Sequence, residues 1–211
     1  MQEDEELYER VVAAVDKRLS GKRLKHVHSV SETAAHMAEV YGANVFDARI
    51  AGLLHDWDKL LTDAELPARM DEMGVERPDH MELIMPVLHS FTGAEAVHRE
   101  FPELSDEIIE AIRNHTMGSL EMSDLDVIIF VADIIEPGRS AKKSWGIDEL
   151  RDMVGKVPLD ELYFASYQQT MRSLIERRRY IHPDAFDIWN GLVAKHHPVN
   201  TSRQGDANIV L

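Results

Sequence analysis

An all-α fold is predicted, on three observations. Apolar residues recur at three- and four-residue intervals along nearly every segment of the chain. Helix punctuation divides these segments: Gly42 and Gly74 after two of them, Pro158 and Pro183 at the start of two others. No stretch alternates with the period of two that a half-buried strand requires. The one long apolar run, 127–135, is apolar on every face apart from Asp133 and lies between Ser123 and Pro137-Gly138.

Taken in order, residues 3–19 form an amphipathic helix that ends at Ser20-Gly21, and 24–41 a second that stops at Gly42. Asn44 with Asp47 three residues on reads as an N-cap and first-turn acid, opening a helix that runs into His55-Asp56. Thr62 and Glu65 have capping-box spacing before a short helix ending at Gly74. Further helices are expected over 81–101 (Pro86 near its start), 105–115, 125–136, 147–154, 158–180 and 183–195, with Pro158 and Pro183 in first turns. The expected organisation is one domain over 1–195: an N-terminal helix (1–20), a core (23–139) and C-terminal helices (140–195), followed by a loose tail, 196–211, in which His196-His197 is solvated.

Composition removes several functions. The 211 residues carry 23 Lys+Arg against 38 Asp+Glu, a net charge of −15. A general nucleic-acid or membrane-surface binder needs a basic footprint that this balance does not supply. The absence of cysteine excludes disulfides, thiol nucleophiles and Cys-ligated zinc. A metal here must be held by nitrogen and oxygen, which favours iron, manganese, cobalt or zinc. The acidic N-terminus is unlike a signal peptide, and the nine-residue run 127–135 is too short to span a bilayer, so a cytoplasmic protein is expected.

Helical arithmetic sorts the 11 histidines. His26 lies in the apolar stripe of Val27, Val30, Ala34, Met37, Ala38 and Tyr41, whereas His28 and His36 lie opposite. His55 shares a face with Ala48, Ala51 and Gly52, and His89 one with Gly93 and Ala96; small residues there admit a close neighbour. His115 ends the stripe of Ile108 and Ile112, while His80, His98 and His182 read as surface or loop residues. Asp133 sits among apolar neighbours with no basic residue in its own helix. A buried carboxylate must be protonated, paired or metal-bound, and without a cation protonation is the expected state. Any one inward histidine is explained by a carbonyl partner. Four of them with Asp133 and Asp56 indicate a shared site between helices.

In chain order, His26, His55-Asp56, His89, His115 and Asp133 resemble the HD superfamily of metal-dependent phosphohydrolases. In that pattern the first His, the His-Asp pair and the last Asp hold one metal, the Asp of the pair bridges to a second, and the two intermediate histidines serve the second. A finer resemblance is to the bacterial HD-domain diadenosine tetraphosphate hydrolases. It is carried by Arg23-Leu24-Lys25-His26, His55-Asp56-Trp57-Asp58-Lys59, Asn114-His115-Thr116-Met117-Gly118 and Val131-Ala132-Asp133-Ile134-Ile135-Glu136-Pro137-Gly138-Arg139. The match covers about 23–139 and, more loosely, reaches 195; His89, followed by Ser90-Phe91-Thr92-Gly93, is matched only through its His and Gly.

The resemblance implies an HD-type helical bundle with the metal site between helices. It implies two metal ions, with iron the first expectation, and a small dinucleotide or nucleotide split symmetrically to two ADP by metal-activated water. A homodimer is compatible with it. Asp56 and Lys59 become the catalytic candidates, and Arg23, Lys59, Thr116, Gly118 and Arg139 the phosphate contacts. Lys59 is also at i+4 from His55 and so shares its face. Asp58 is near enough in sequence to act as an acid or base, whereas Lys142, Lys143 and Arg177-Arg178-Arg179 read as solvated charge. The same ligands suit an HD nucleotidase or cyclic-dinucleotide phosphodiesterase, a di-iron HD oxygenase, or a non-enzymatic sensor. Stretches 116–118 and 136–139 favour the dinucleotide hydrolase, and the complete ligand set disfavours the sensor. A ferritin-like bundle needs paired Glu-x-x-His motifs, and only Glu95 with His98 fits.

Overall fold

The computed structural model describes residues 2–139 and 146–197. Lys142, Lys143 and the tail from 198 onward lie outside the described residues. Every regular element among them is helical: α1 (Gln2–Arg18), α2 (Gly21–Tyr41), α3 (Val45–Leu54), α4 (Leu66–Met73), α5 (Met81–Ile84), a 3-10 turn (Met85–Val87), α6 (His89–Glu100), α7 (Asp106–Asn114), α8 (Asp124–Ile135), α9 (Ile147–Met153), α10 (Leu159–Glu176) and α11 (Pro183–His196). None of these helices is long and apolar enough to cross a membrane.

Local chemistry accounts for most ends. The Asn44 side chain accepts from the backbone N–H of Phe46 and Asp47, which starts α3. Ser123 and Asp126 make a reciprocal capping box at the start of α8. Gly42 and Gly74 close α2 and α4 in the left-handed region, at φ 77° and 71°.

Four expectations change. The helix expected over 81–101 is broken into α5, the 3-10 turn and α6. Pro86 lacks an N–H and restricts the residue before it, so the helix cannot run through. Thr62 is not an N-cap: its N–H and hydroxyl both donate to Glu65 (2.8 and 2.7 Å), and α4 begins after Glu65 with Pro67 in its first turn. Pro158 is the N-cap residue of α10 rather than its first helical residue, and α10 ends at Glu176, where Arg178 turns the chain with φ 53°. His196 belongs to α11 and stacks on Phe164, with ring centroids 4.8 Å apart, so it is packed rather than solvated.

The main hydrophobic core takes residues from Val11 on α1 to Leu192 on α11, and α8 runs through it with Val127 to Ala132 all buried; a smaller cluster joins α4 to α5 through Leu66, Met70 and Ile84. The α2–α3 crossing is close because Gly52 faces Ser31: a Cβ on Gly52 would lie 2.6 Å from the Ser31 Cα. That approach brings His26 on α2 to His55 just after α3, with ring centroids 5.3 Å apart.

Candidate metal centre

Four helix ends and one helix face converge on Asp56. His26 comes from α2; His55 and Asp56 follow α3; His89 opens α6; His115 follows α7; Asp133 lies in the last turn of α8. His55, Asp56, His89 and His115 are buried, and the His26 side chain is 10% exposed.

The two oxygens of Asp56 face different partners. Oδ2 lies 3.4 Å from His55 Nε2 and 3.6 Å from His26 Nε2, while Asp133 Oδ1 lies 3.0 Å from His26 Nε2 on the same side. Oδ1 lies 3.1 Å from His89 Nε2 and 3.8 Å from His115 Nε2. His26, His55 and Asp56 form one group of potential metal-binding atoms, and Asp56, His89 and His115 another.

The imidazole tautomers show what the cluster is built to hold. His55 Nδ1 donates to the Gly52 carbonyl (2.8 Å), His89 Nδ1 to Pro86 (3.0 Å) and His115 Nδ1 to Ile112 (2.6 Å), each three residues earlier in the chain. His26 Nδ1 donates to Glu136 Oε1 at 3.1 Å. A carbonyl or an ionised carboxylate accepts only, so each Nδ1 carries the proton and each Nε2 turns a lone pair toward the centre. There the lone pairs meet carboxylate oxygens and one another; His89 Nε2 and His115 Nε2 are 3.2 Å apart. The Nε2 atoms of His26 and His55 are buried with no hydrogen-bond partner. Lone pairs aimed at anions are reconciled by a cation, and an imidazole and carboxylate donor set fits a divalent transition metal.

The proton affinities agree. Burial pushes the His115 imidazole down to about 3, with His55 and His89 adding to the effect, and burial likewise lowers His89. Burial works to raise Asp56, but His55, His89 and His115 outweigh it and hold the carboxyl well below its usual range. For His55, burial is outweighed by Asp56, and the ring is pushed up.

Asp133 departs from expectation. Its side chain is 23% exposed, and Arg139 reaches back from beyond the helix end to pair with it. The Arg139 Nε also donates to the Asp133 carbonyl at 2.9 Å. Burial works to raise the Asp133 carboxyl, but the His26 ring and the Arg139 guanidinium hold it ionised, well below the ordinary range. A neutral acid is therefore not the metal-free state; the partner lies six residues along the chain, where the helix period does not reach. Arg23 likewise pairs with Asp56, with its NH1 2.5 Å from Oδ2.

Lys59 points to the other side of the cluster. Its Nζ donates to the Pro86 carbonyl at 3.2 Å and lies 3.4 Å from His89 Nδ1, and burial lowers its proton affinity. Thr116 shares its hydroxyl with Ser90 (3.0 Å) and the Val87 carbonyl (3.4 Å), tying the turn after α7 to the start of α6. Gly118 has φ 72° and packs on the Tyr163 hydroxyl, 2.5 Å from where a Cβ would stand. Asp58 is no acid or base for this site: it is buried between Arg18 (2.6 Å) and Arg69 (2.9 Å).

One further residue escaped the sequence reading. Glu136 is buried, accepts from the Ser29 hydroxyl (2.7 Å) and the Gly138 N–H (2.5 Å), and holds His26 Nδ1. The charge-bearing Glu136-Pro137-Gly138 run was visible in the sequence, but its reach across to α2 was not.

Comparison with known proteins follows this geometry. Residues 23–138 match the family model of the HD domain. A Bacillus subtilis protein named symmetrical bis(5'-nucleosyl)-tetraphosphatase is 32% identical over 88% of this chain and 97% of its own length. One of the same name from Halalkalibacterium halodurans is 30% identical over 87% and 96%. A crystal structure from Clostridium acetobutylicum, described as a predicted HD superfamily hydrolase involved in NAD metabolism, superposes with a TM-score of 0.81 at 30% identity, covering 89% of this chain and 97% of that one. With six acid and imidazole groups gathered at the matched helices, the chain belongs to the HD-domain family and is a hydrolase.

Proposed function

We propose that this hydrolase splits diadenosine tetraphosphate, and related dinucleoside polyphosphates, symmetrically to two ADP. The observation that carries a two-metal reading is the division of Asp56, with Oδ2 turned to His26 and His55 and Oδ1 to His89 and His115. His26, His55, Asp56 and Asp133 would hold one ion, and Asp56, His89 and His115 the other. When bound, two divalent ions supply Lewis acidity toward a phosphoryl oxygen and make water a nucleophile near neutral pH. Iron is the proposed metal; manganese, cobalt and zinc suit the same donors.

The chain's own groups supply the rest. Asp56 fixes the spacing of the two halves by engaging both. Lys59 brings an ammonium beside His89, and Arg23 and Arg139 are guanidinium groups already at the edge of the cluster, so three cations surround the place for a polyanion in a chain of net charge −15. Glu136 orients His26 through Nδ1. The names of the relatives support the substrate. Product analysis on diadenosine tetraphosphate tests it: two ADP, without ATP or AMP, is expected, and any asymmetric product overturns the assignment. Elemental analysis is expected to find about two metal ions per chain.

A further inference from the structure

The turn that follows α8 carries two groups of the metal centre, Glu136 behind His26 and Arg139 beside Asp133. Pro137 disfavours a helical Glu136, whose backbone is extended at φ −52° and ψ 149°, so carbonyls at the end of α8 need donors from elsewhere. One guanidinium supplies them. Arg151 on α9 donates through Nε to the Ile135 carbonyl (2.8 Å), and through one terminal nitrogen to the carbonyls of Glu136 (2.9 Å) and Arg139 (3.0 Å). Its other terminal nitrogen pairs with the exposed Asp148 carboxylate at 2.9 Å, on the same helix. A planar fork with several donors suits carbonyls at both ends of a turn, and its charge complements the C-terminal end of the α8 dipole.

Arg151 is itself held in place. Ile147 and Leu150 on the same helix are buried, Leu150 in the main core. Just past α9, the Gly155 N–H donates to the Tyr41 hydroxyl at the end of α2 (3.0 Å). The Arg151 side chain is 30% exposed and borders a surface cavity of about 400 Å³, shared with Ser29, Thr33, Ile135 and Pro137. All of α9 lies outside residues 23–138, the segment that matches the HD model. We propose that Arg151 is a positioning residue of the metal centre: by fixing three carbonyls of the turn it aims Glu136 at His26 and Arg139 at Asp133. The C-terminal helices thereby complete the half of the site on the Oδ2 side of Asp56. The proposal rests on the reading of that half as a metal site.

The test compares the parent with Arg151→Ala, Arg151→Lys and Asp148→Asn in two measurements. In the first, the metal-loaded proteins are titrated with a competing chelator. Arg151→Ala should lose roughly tenfold in affinity for one ion and keep the parent's affinity for the other, since it acts through the groups around His26 and Asp133 alone. Arg151→Lys, which keeps the charge at the helix end, should fold like the parent and lose less. Asp148→Asn should match the parent, because the carbonyl contacts remain. Millimolar guanidinium, entering by the cavity, should restore the affinity of Arg151→Ala, and sodium chloride at the same concentration should not. Equal weakening of both ions, absence of rescue, or an Asp148→Asn variant that behaves like Arg151→Ala overturns the proposal. In the second measurement, hydrogen exchange is read in metal-free protein at the amides of Gly138 and Arg139, which donate to the Glu136 carboxylate and carbonyl. Exchange should be about tenfold faster in Arg151→Ala; an unchanged rate overturns the proposal. Because this readout needs no metal, a parent that binds no ion overturns the two-ion reading and leaves the exchange rate to decide the role of Arg151.

Discussion

On the Oδ2 side of Asp56 the neighbours are charged: Asp133, Arg23, Arg139 and, behind His26, Glu136. On the Oδ1 side they are two neutral imidazoles and Lys59. The same residue type responds in opposite ways. His55 on the first side is pushed up by Asp56, whereas His89 and His115 on the second are pushed down by burial. The first half neutralises its acids internally with arginine, and the second depends on one shared carboxylate. The first half is thus charge-balanced and partly open, with the Asp133 side chain 23% exposed, and the second is closed, with His89 and His115 buried.

The largest effect should come from removing what the halves share. Asp56→Asn is expected to lower kcat by roughly a thousandfold or more, equivalent to about 4 kcal/mol, with loss of both metals. Steady-state kinetics with elemental analysis checks this; retention of one tightly bound ion would show that Asp56 does not bridge.

The next pair separates the halves. Asp133→Asn should lose metal from the first, and the melting temperature of this variant should fall less on chelation than that of the parent, since less bound ion remains to be removed. Arg139 already pairs with Asp133, so the parent should survive chelation as a folded protein. His89→Ala should lose metal from the second half and most activity, whereas His98→Ala, exposed at the far end of α6, should match the parent. Equal effects at 89 and 98 would undo the assignment of the second half.

A smaller effect is expected at Glu136→Gln, which keeps the shape but removes the charge behind His26. Metal affinity should drop by roughly 10–100-fold, read by titration with a competing chelator. The smallest is a pH effect in the chelated protein. His115 has a folded value of about 3, below the 6.5 of a free imidazole, so it favours folding less and less as pH falls beneath 6.5. His55, pushed up, works in the opposite sense. His115→Asn should therefore flatten the fall in melting temperature between about pH 6.5 and 4, and His55→Asn should steepen it, by a few degrees, on the order of 1 kcal/mol.

Much of the helical frame was legible because it is local. The caps at Asn44 and Gly42 and the stripe around His26 follow from spacing alone, and so does the inward facing of His55, His89 and His115. The break at Pro86 is a local signal set inside a long periodic stretch, and it matters, because the carbonyl it places engages both His89 and Lys59. What no periodicity carries is pairing across helices or beyond a helix end. Arg139 folding back on Asp133, Glu136 reaching Ser29 and His26, and Arg18 with Arg69 enclosing Asp58 are all of this kind.

By itself, then, the sequence determined which side chains face inward, since 100° per residue is a property of the helix and not of its surroundings. It also determined the donor chemistry, nitrogen and oxygen without sulfur. Only the tertiary structure decided how those donors are shared: that one carboxylate serves two histidine pairs, and that every Nδ1 is already spoken for. Those facts depend on distances between segments far apart in the chain, and these are set by how closely the helices pack, as where Gly52 meets Ser31.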